Sequence, residues 1–373
     1  MVTERNPLYT HLSEELGIDI PVVAFTHCKD VAIAVINAGG MAVLGASRRT
    51  EEELEADIHW IRERAGSKPF GIDVMMPSSV PESVNWEDMA QRIPREYRAF
   101  IEKIKQQHNI APPKPETVER SRGLALGFLT REGARRKLEV VLENRVPVLA
   151  AALGNPAFIL EAAHARGIKV WGLVGNARQA RREAEIGIDL IVAQGSDAAG
   201  HTPKIGTWSL VPQVIDAVKP TPVLLAGGVA SGRQLAAALC LGAAGVWTGT
   251  IWLATTESDV DIIIKEKLLQ ATERDTIYSI SREGSVSREL RTQWDEIWDA
   301  PDAPEPMASD LQFVLNHDLL LSIQEQRIAP LMGTPCGQGV GMVKEIKSCA
   351  QILRDLVLEA LETFERMSTP SQV

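Results

Sequence analysis

The chain has 373 residues, of which 45% are hydrophobic and 24% charged, which is the composition of a soluble globular enzyme with room for one large α/β domain and an insertion. A net charge of −10 without a long basic run argues against nucleic acid or an anionic membrane as the main partner. The four cysteines lack metal-ligand spacing, so we expect no metal site. The N-terminus lacks a signal pattern and no apolar run reaches about 18 residues, so we expect a cytoplasmic protein without a membrane span.

Strand-like apolar runs alternate with amphipathic helical patterns along most of the chain. Eight such units favour a closed (β/α)8 TIM barrel over a doubly wound sheet. The predicted strands are Val22–Phe25, Met41–Gly45, Phe70–Met76, Val146–Leu153, Lys169–Val174, Leu190–Ala193, Val223–Ala226 and Gly245–Thr248. The predicted helices between them include Thr50–Arg64, Arg131–Glu143, Pro156–Ala165, Ala177–Glu185 and Trp208–Val218.

Residues 1–255 are predicted to form the barrel, with one long excursion between the third and fourth strands at Pro77–Arg122. Prolines and charges are frequent in this excursion, and a helix is expected near Pro94–Gln107. We expect the excursion to lie over the barrel mouth, as a mobile lid or as a fixed wall.

The chain after the eighth strand is predicted to leave the barrel and return. Thr256–Gly333 has helical patterns and several tryptophans, which indicates a small inserted helical subdomain. Residues 334–373 begin with the glycine-rich Gly333–Gly341 loop and close with an amphipathic helix, Met342–Phe364. The GQGVG run in this loop follows no strand, so it supports a dinucleotide fingerprint only weakly, and a flexible connector is the simpler interpretation.

Glycines end the last two predicted strands. Gly227 and Gly228 follow one of them, and Gly249 with Thr250 follows the other, about 20 residues later. Without a Cβ, a glycine lets backbone N–H groups approach an anion closely. Two such loops in succession predict the phosphate-binding corner that barrels form after strands 7 and 8, although tight βα turns alone are the alternative.

His201 is the sharpest catalytic candidate, because it lies in the loop after the sixth strand, where barrel enzymes place catalytic groups. A histidine titrates near neutral pH and can take a proton from a carbon acid; a loop histidine bonded to backbone is the alternative. Asp197 of the same loop either orients His201 or caps the next helix. Gln194 can donate to and accept from a heterocycle, or act as a buried structural amide.

Three further residues are placed near the predicted mouth. Asp73 lies in an apolar strand, where a carboxylate must be paired, hydrogen-bonded or functional. His27 and Cys28 follow the first strand, but adjacent residues of an extended segment face opposite ways, which argues against a thiol nucleophile. No GxSxG, HExxH or Walker pattern supports hydrolysis or phosphoryl transfer.

Several of these runs together resemble one protein family. The segments AQGSDAAGHTPKIG, PVLLAGGVASGRQLAAALCLGAAGVWTGT and WLATTES, with AVINAGGMAVLGA near the start and CGQGVGMV near the end, are similar to the nitronate monooxygenases, formerly called 2-nitropropane dioxygenases. Members of that family are FMN-dependent (β/α)8 barrels. The resemblance covers most of the chain.

The resemblance implies a role for individual positions. The family's catalytic base is the histidine of a GGH motif, which falls on His201, preceded here by Gly200. The flavin phosphate would be held by Gly227, Gly228 and the segment Trp247, Thr248, Gly249 and Thr250. Gln194 matches a flavin contact, Asp73 stands where the family usually has Asn, and Ala24 begins the segment expected beside the flavin.

The resemblance also implies the reaction and its partners. An alkyl nitronate or related anion would be oxidised with O2 to a carbonyl compound and nitrite, with His201 binding the anion or, for a nitroalkane, removing the α-proton. The alternatives are an FMN-dependent NAD(P)H:quinone or enoyl-thioester reductase, and a flavin-binding protein without turnover. A homodimer is compatible with the sequence.

Four departures from the family pattern surround the flavin ring and the substrate pocket. Ala24–Lys29 reads AFTHCK instead of an APMAG-like segment, and Ala199 replaces a glycine. Asp73 would place a negative charge near a reduced flavin unless it is protonated or paired. Leu173 lies where some members carry lysine. The phosphate corner is intact, so FMN binding is the safer expectation and the nitronate activity the less safe one.

Overall fold

The computed structural model describes residues 6–76 and 80–368. Eight parallel strands close into one barrel in sequence order, with β1 hydrogen-bonded to β8, so the predicted (β/α)8 barrel is confirmed. The barrel strands are β1 (Val22–Thr26), β2 (Met41–Gly45), β3 (Gly71–Met75), β4 (Val148–Ala152), β5 (Lys169–Val174), β6 (Leu190–Gln194), β7 (Val223–Ala226) and β8 (Gly245–Thr248).

Fifteen α-helices are found within the described residues, and those between strands form the outer ring of the barrel. Some begin at strong sequence signals: the Thr50 hydroxyl accepts from the N–H of Glu53, whose carboxylate accepts from the N–H of Thr50. The helices are α1 (His11–Leu16), α2 (Lys29–Asn37), α3 (Glu51–Ala65), α4 (Trp86–Arg92), α5 (Arg95–Gln107), α6 (Pro115–Leu129), α7 (Arg131–Glu143), α8 (Ala157–His164), α9 (Ala177–Glu185), α10 (Thr207–Val218), α11 (Gly232–Cys240), α12 (Ile262–Gln270), α13 (Gln293–Trp298), α14 (Asp310–Glu325) and α15 (Cys349–Ser368).

Alternate residues of each barrel strand face the barrel interior or the helices. The interior is filled by large apolar side chains, and the other set packs under the helices in a separate, larger cluster. The interior residues include Val23, Met41, Val43, Val148, Trp171, Leu190, Val192, Leu224 and Trp247. Because the interior is solid, a ligand can enter only at the carboxyl-terminal ends of the strands.

The long connection between β3 and β4 packs against the segment that follows β8. Phe100 and Ile104 of α5 share an apolar cluster with Trp294 and Trp298 of α13, and Trp86 of α4 packs with Val314 of α14. The helix expected near Pro94–Gln107 is α5. Residues 77–79, where the excursion was predicted to begin, lie outside the described residues.

The segment 256–333 contains a β-hairpin as well as helices, so the expectation of a purely helical subdomain is corrected. Strands β9 (Thr276–Ser279) and β10 (Ser287–Leu290) pair antiparallel, with Arg288 opposite Tyr278. Each strand is only four residues long and mixes serine, arginine and glutamate with apolar residues. Such short polar strands carry too little alternation to be recognised from sequence.

The closing helix was also predicted to begin too early. It was expected from Met342, but α15 begins at Cys349. Met342 instead ends a short 3₁₀ helix, Gln338–Met342. After it, Lys347 forms a bridge with Thr255, and its carbonyl accepts a hydrogen bond from the N–H of Thr256. Across the described part of the chain, no helix combines the length and the hydropathy needed to cross a membrane.

Candidate functional site

The floor of the barrel mouth is aromatic. Phe25 of β1 and Trp247 of β8 stack with ring centroids 5.7 Å apart and an interplanar angle of 20°. His27 meets the edge of Phe25 at 5.2 Å. All three lie at the carboxyl-terminal ends of the strands that close the barrel. Phe25 and Trp247 are close to parallel, whereas the His27 ring stands at 76° to Phe25.

Two predicted cofactor residues turn their side chains away from this floor. The methyl group of Ala24 is buried in the outer cluster beneath the helices. The Thr248 hydroxyl donates to the carbonyl of Val23 at 3.2 Å and accepts from the indole N–H of Trp252 at 3.0 Å. Strand alternation explains both positions, and it is Phe25 and Trp247 that face the interior.

Glycines follow β7 and β8, where the sequence predicts a phosphate-binding corner. Gly227 and Gly228 have φ of +117° and +74°, a backbone conformation that L side chains rarely adopt. A Cβ added to Gly249 would meet no atom within 4 Å. Within residues 6–76 and 80–368, no hydrogen bond is donated by the backbone N–H of Gly228 or Gly249. Open space beside free N–H donors fits an anionic group such as a phosphate.

The glycine-rich run after Gly333 packs directly onto this corner. A Cβ on Gly337 would lie 2.5 Å from the carbonyl oxygen of Asp197, and one on Gly339 would lie 2.9 Å from that of Gly228. Gly337 also donates its N–H to the Thr250 hydroxyl at 2.8 Å. The run therefore buttresses the corner by close backbone contact. It has neither the strand-turn-helix context of a dinucleotide fingerprint nor the loose packing of a connector.

The loop after β6 is held between the barrel and the hairpin. The Gln194 amide donates to the carbonyl of His201 at 3.0 Å. Gly200, with φ of +70°, exchanges two backbone hydrogen bonds with Arg288 of β10, at 2.9 and 2.8 Å. The Arg288 guanidinium donates to the carbonyl of Ser196 at 2.9 Å and lies over the Tyr278 ring at 4.1 Å. Gln194 thus orients the loop that carries His201 through a hydrogen bond to its backbone.

Both ring nitrogens of His201 contact acceptors on the β9–β10 turn. Nδ1 lies 3.0 Å from the carbonyl oxygen of Val286, and Nε2 lies 3.4 Å from a carboxylate oxygen of Glu283. The contact with Glu283 raises the pKa of His201 above its usual value, against the effect of burial. The imidazole remains 35% exposed, so a ligand in the mouth can reach it.

Asp197 caps a helix and does not orient His201. Its carboxylate accepts from the N–H of Thr207, the first residue of α10, at 3.2 Å. This was the commoner of the two outcomes considered for a loop aspartate. No reading of the loop alone could have found the actual partners of His201, because Glu283 and Val286 are more than 80 residues away.

Two charged or titratable residues of the mouth were not singled out as site residues. His27 bonds the carbonyl of Gly45 through Nδ1 at 3.2 Å, and burial together with the charge of Arg48 lowers its pKa to about 3. His27 is therefore neutral at physiological pH. Arg48 lies in the turn after β2, close to the carboxylates of Asp259 and Glu283, and both carboxylates act to raise the pKa of its guanidinium. In the sequence, the only feature that marks His27 and Arg48 is their position just after a predicted strand.

Asp73 is buried among the strand ends, with 6% of its surface exposed. Burial raises the pKa of its carboxyl group to about 7. One carboxyl oxygen has no hydrogen-bond partner within the described residues. Asp73 is therefore substantially protonated near neutral pH, which removes much of the repulsion expected between a carboxylate at this position and a reduced flavin.

Cys28 does not have the environment of a nucleophile. Its thiol donates to the carbonyl of Glu257 at 3.3 Å, and burial raises its pKa. A reactive cysteine needs the opposite shift.

Comparisons with known proteins identify the family of the chain. The model of the nitronate monooxygenase family matches residues 12–359. A Mycobacterium tuberculosis protein provisionally named a monooxygenase is 40% identical over 371 residues, covering 96% of this chain and 98% of its own. The structure of nitroalkane oxidase from Streptomyces ansochromogenes superimposes with a TM-score of 0.79 at 26% identity, covering 96% and 99% of the two chains. FabK from Thermotoga maritima gives 0.71 at 27% identity, covering 96% and 98%. The chain is an oxidoreductase and belongs to the nitronate monooxygenase family.

Proposed function

We propose that this protein oxidises alkyl nitronates with O2, using FMN, and releases a carbonyl compound and nitrite. The observation that carries the proposal is the meeting, in one barrel mouth, of an anion corner, an aromatic floor and His201. Membership of the nitronate monooxygenase family supports the same chemistry.

The residues present fit a flavin mononucleotide. Gly228 and Gly249 have free backbone N–H groups for the phosphate, and the run around Gly337 and Gly339 holds that corner in place. Phe25 and Trp247 provide an apolar surface for the ring system. When bound, FMN supplies the redox chemistry, taking electrons from the nitronate and passing them to O2.

His201 is suited to bind the anionic substrate. Its raised pKa favours the imidazolium form near neutral pH, and a cation in a partly enclosed site attracts a nitronate. Arg48, on the turn after β2, adds a second positive charge to the same mouth. Gln194 and Arg288 fix the backbone of the loop that carries His201.

The proposal is tested on the protein as purified with its flavin. Mass spectrometry of the released cofactor is expected to give FMN, and aerobic incubation with an alkyl nitronate is expected to consume O2 while nitrite and the carbonyl compound accumulate. A flavin-loaded protein that forms no nitrite from a panel of nitronates would overturn the proposed reaction. A protein that carries FAD or no flavin would overturn the proposed cofactor.

A further inference from the structure

Hydrogen-bond acceptors face both ring nitrogens of His201. A backbone carbonyl can only accept, so Nδ1, 3.0 Å from the oxygen of Val286, must carry a proton. Nε2 lies 3.4 Å from a carboxylate oxygen of Glu283, and a negative charge at that distance favours a proton on this nitrogen as well. Acceptors on both sides favour the imidazolium form of the ring, which has no lone pair with which to act as a base.

The surrounding charges favour this ionised pair. Burial alone would raise the pKa of Glu283, but His201, Arg282 and Arg48 together hold that pKa below its usual value. On the other side, Glu289 of β10 adds to the effect of Glu283 and raises the pKa of His201 further. Asp259 acts on Arg48, where its negative charge raises the pKa of the guanidinium. The imidazolium of His201 and the carboxylate of Glu283 therefore stabilise each other.

The consequence concerns which form of the substrate can react. To use a neutral nitroalkane, the site must break a C–H bond, leave the electron pair in the nitro group as a nitronate, and give the proton to a base. His201 is the base that the family resemblance implies, but its imidazolium form, which Glu283 and the Val286 carbonyl favour, cannot accept a proton. A preformed nitronate needs no such step and is attracted by the same positive charge.

We propose that Glu283 is a positioning residue that keeps His201 in its imidazolium form and thereby makes the site selective for preformed nitronates over neutral nitroalkanes. This inference rests on the proposed function. On this proposal, Glu283 decides whether the site accepts the neutral nitroalkane or only its nitronate anion, although it lies on the β9–β10 turn and far from His201 in sequence.

The test compares wild-type protein with Glu283→Gln, both loaded with flavin. Histidine labelled with ¹³C at Cε1 reports the titration of each ring by NMR, and His201→Asn identifies the His201 signal. In wild type, His201 should titrate above the ordinary value of about 6.5. In Glu283→Gln its pKa should fall, and the ratio of kcat/KM for a nitroalkane to that for its nitronate should rise by up to about tenfold per pKa unit at neutral pH.

A matched control is Glu266→Gln, which removes one exposed carboxylate of α12 in the same segment and should change neither quantity. A wild-type His201 that titrates at or below its ordinary value would overturn the proposal even if Glu283→Gln failed to fold. So would an unchanged substrate ratio in a folded Glu283→Gln. If wild type oxidises no nitronate, the proposed function fails, whereas the titration still decides whether Glu283 holds the imidazolium.

Discussion

Phe25 and Trp247 stack across the seam where the first strand of the barrel meets the last, with centroids 5.7 Å apart. The contact joins residues more than 200 positions apart and forms the floor of the site. The pair that packs at the barrel seam is therefore also the pair on which, under the proposed function, the flavin ring would rest.

Replacing Phe25 with leucine should weaken flavin retention while the barrel still folds. The change removes an aromatic pair worth about 0.5–1.5 kcal/mol beyond its buried area. We expect faster release of flavin, measured by the recovery of free-flavin fluorescence on dilution. Phe158→Leu, at a side chain that is 66% exposed on α8, is the control and should retain flavin as wild type does. Equal retention in both variants would remove Phe25 from the binding surface.

Gly249→Val should abolish flavin retention without loss of the fold. The added side chain meets no protein atom within 4 Å at its Cβ, so it occupies the space assigned to the phosphate. The measurement is the flavin-to-protein absorbance ratio after purification, together with the thermal unfolding curve. Gly123→Val on α6 also points into open space and serves as the control. A yellow Gly249→Val protein at full occupancy would show that the phosphate lies elsewhere.

His201→Asn should keep the flavin bound and lower kcat/KM for nitronates by at least about tenfold. Asparagine removes the positive charge that attracts the anion, and a charge-assisted hydrogen bond contributes roughly 1.5–3 kcal/mol. Initial rates of nitrite release at pH 7 would measure the loss. Unchanged rates with full flavin occupancy would remove His201 from the reaction.

Glu183 makes the stability of the protein depend on pH in a predictable direction. Burial raises its pKa from 4.5 to about 8, so the folded state holds a proton that the unfolded state has lost. Stability contributed by this group is thus present below about pH 4.5 and lost as the pH rises to about 8. Glu183→Gln should reduce the difference in urea midpoint between pH 5 and pH 8. An unchanged difference would mean that Glu183 is ionised in the folded protein.

Much of the barrel could be predicted from the sequence because its signals are local. The apolar runs at Val223–Ala226 and Gly245–Thr248 end at glycines, and both strands are found with those bounds. The positive φ of Gly227 and Gly228 likewise follows from residue type. By contrast, the predicted start of the closing helix at Met342 was wrong. Lys347 forms a bridge to Thr255, and no local sequence pattern indicates that contact.

The partners of the predicted catalytic residue could not be predicted, because they come from tertiary contacts. Glu283 and Val286 belong to a turn between two short polar strands, and nothing near His201 in sequence points to them. Strand alternation could have corrected one prediction: Ala24 lies between Val23 and Phe25, which both face the barrel interior, so its own side chain faces the helices.

The central claim is that a nitronate, and not a pyridine nucleotide, is the electron donor. Anaerobic mixing of the flavin-loaded protein with an alkyl nitronate, and separately with NADH and NADPH, tests it by following the absorbance of the oxidised flavin. We predict rapid loss of that absorbance with the nitronate and little or none with either nucleotide. Rapid loss with NADH or NADPH and none with nitronates would contradict the account and assign the protein to the NAD(P)H-dependent reductases.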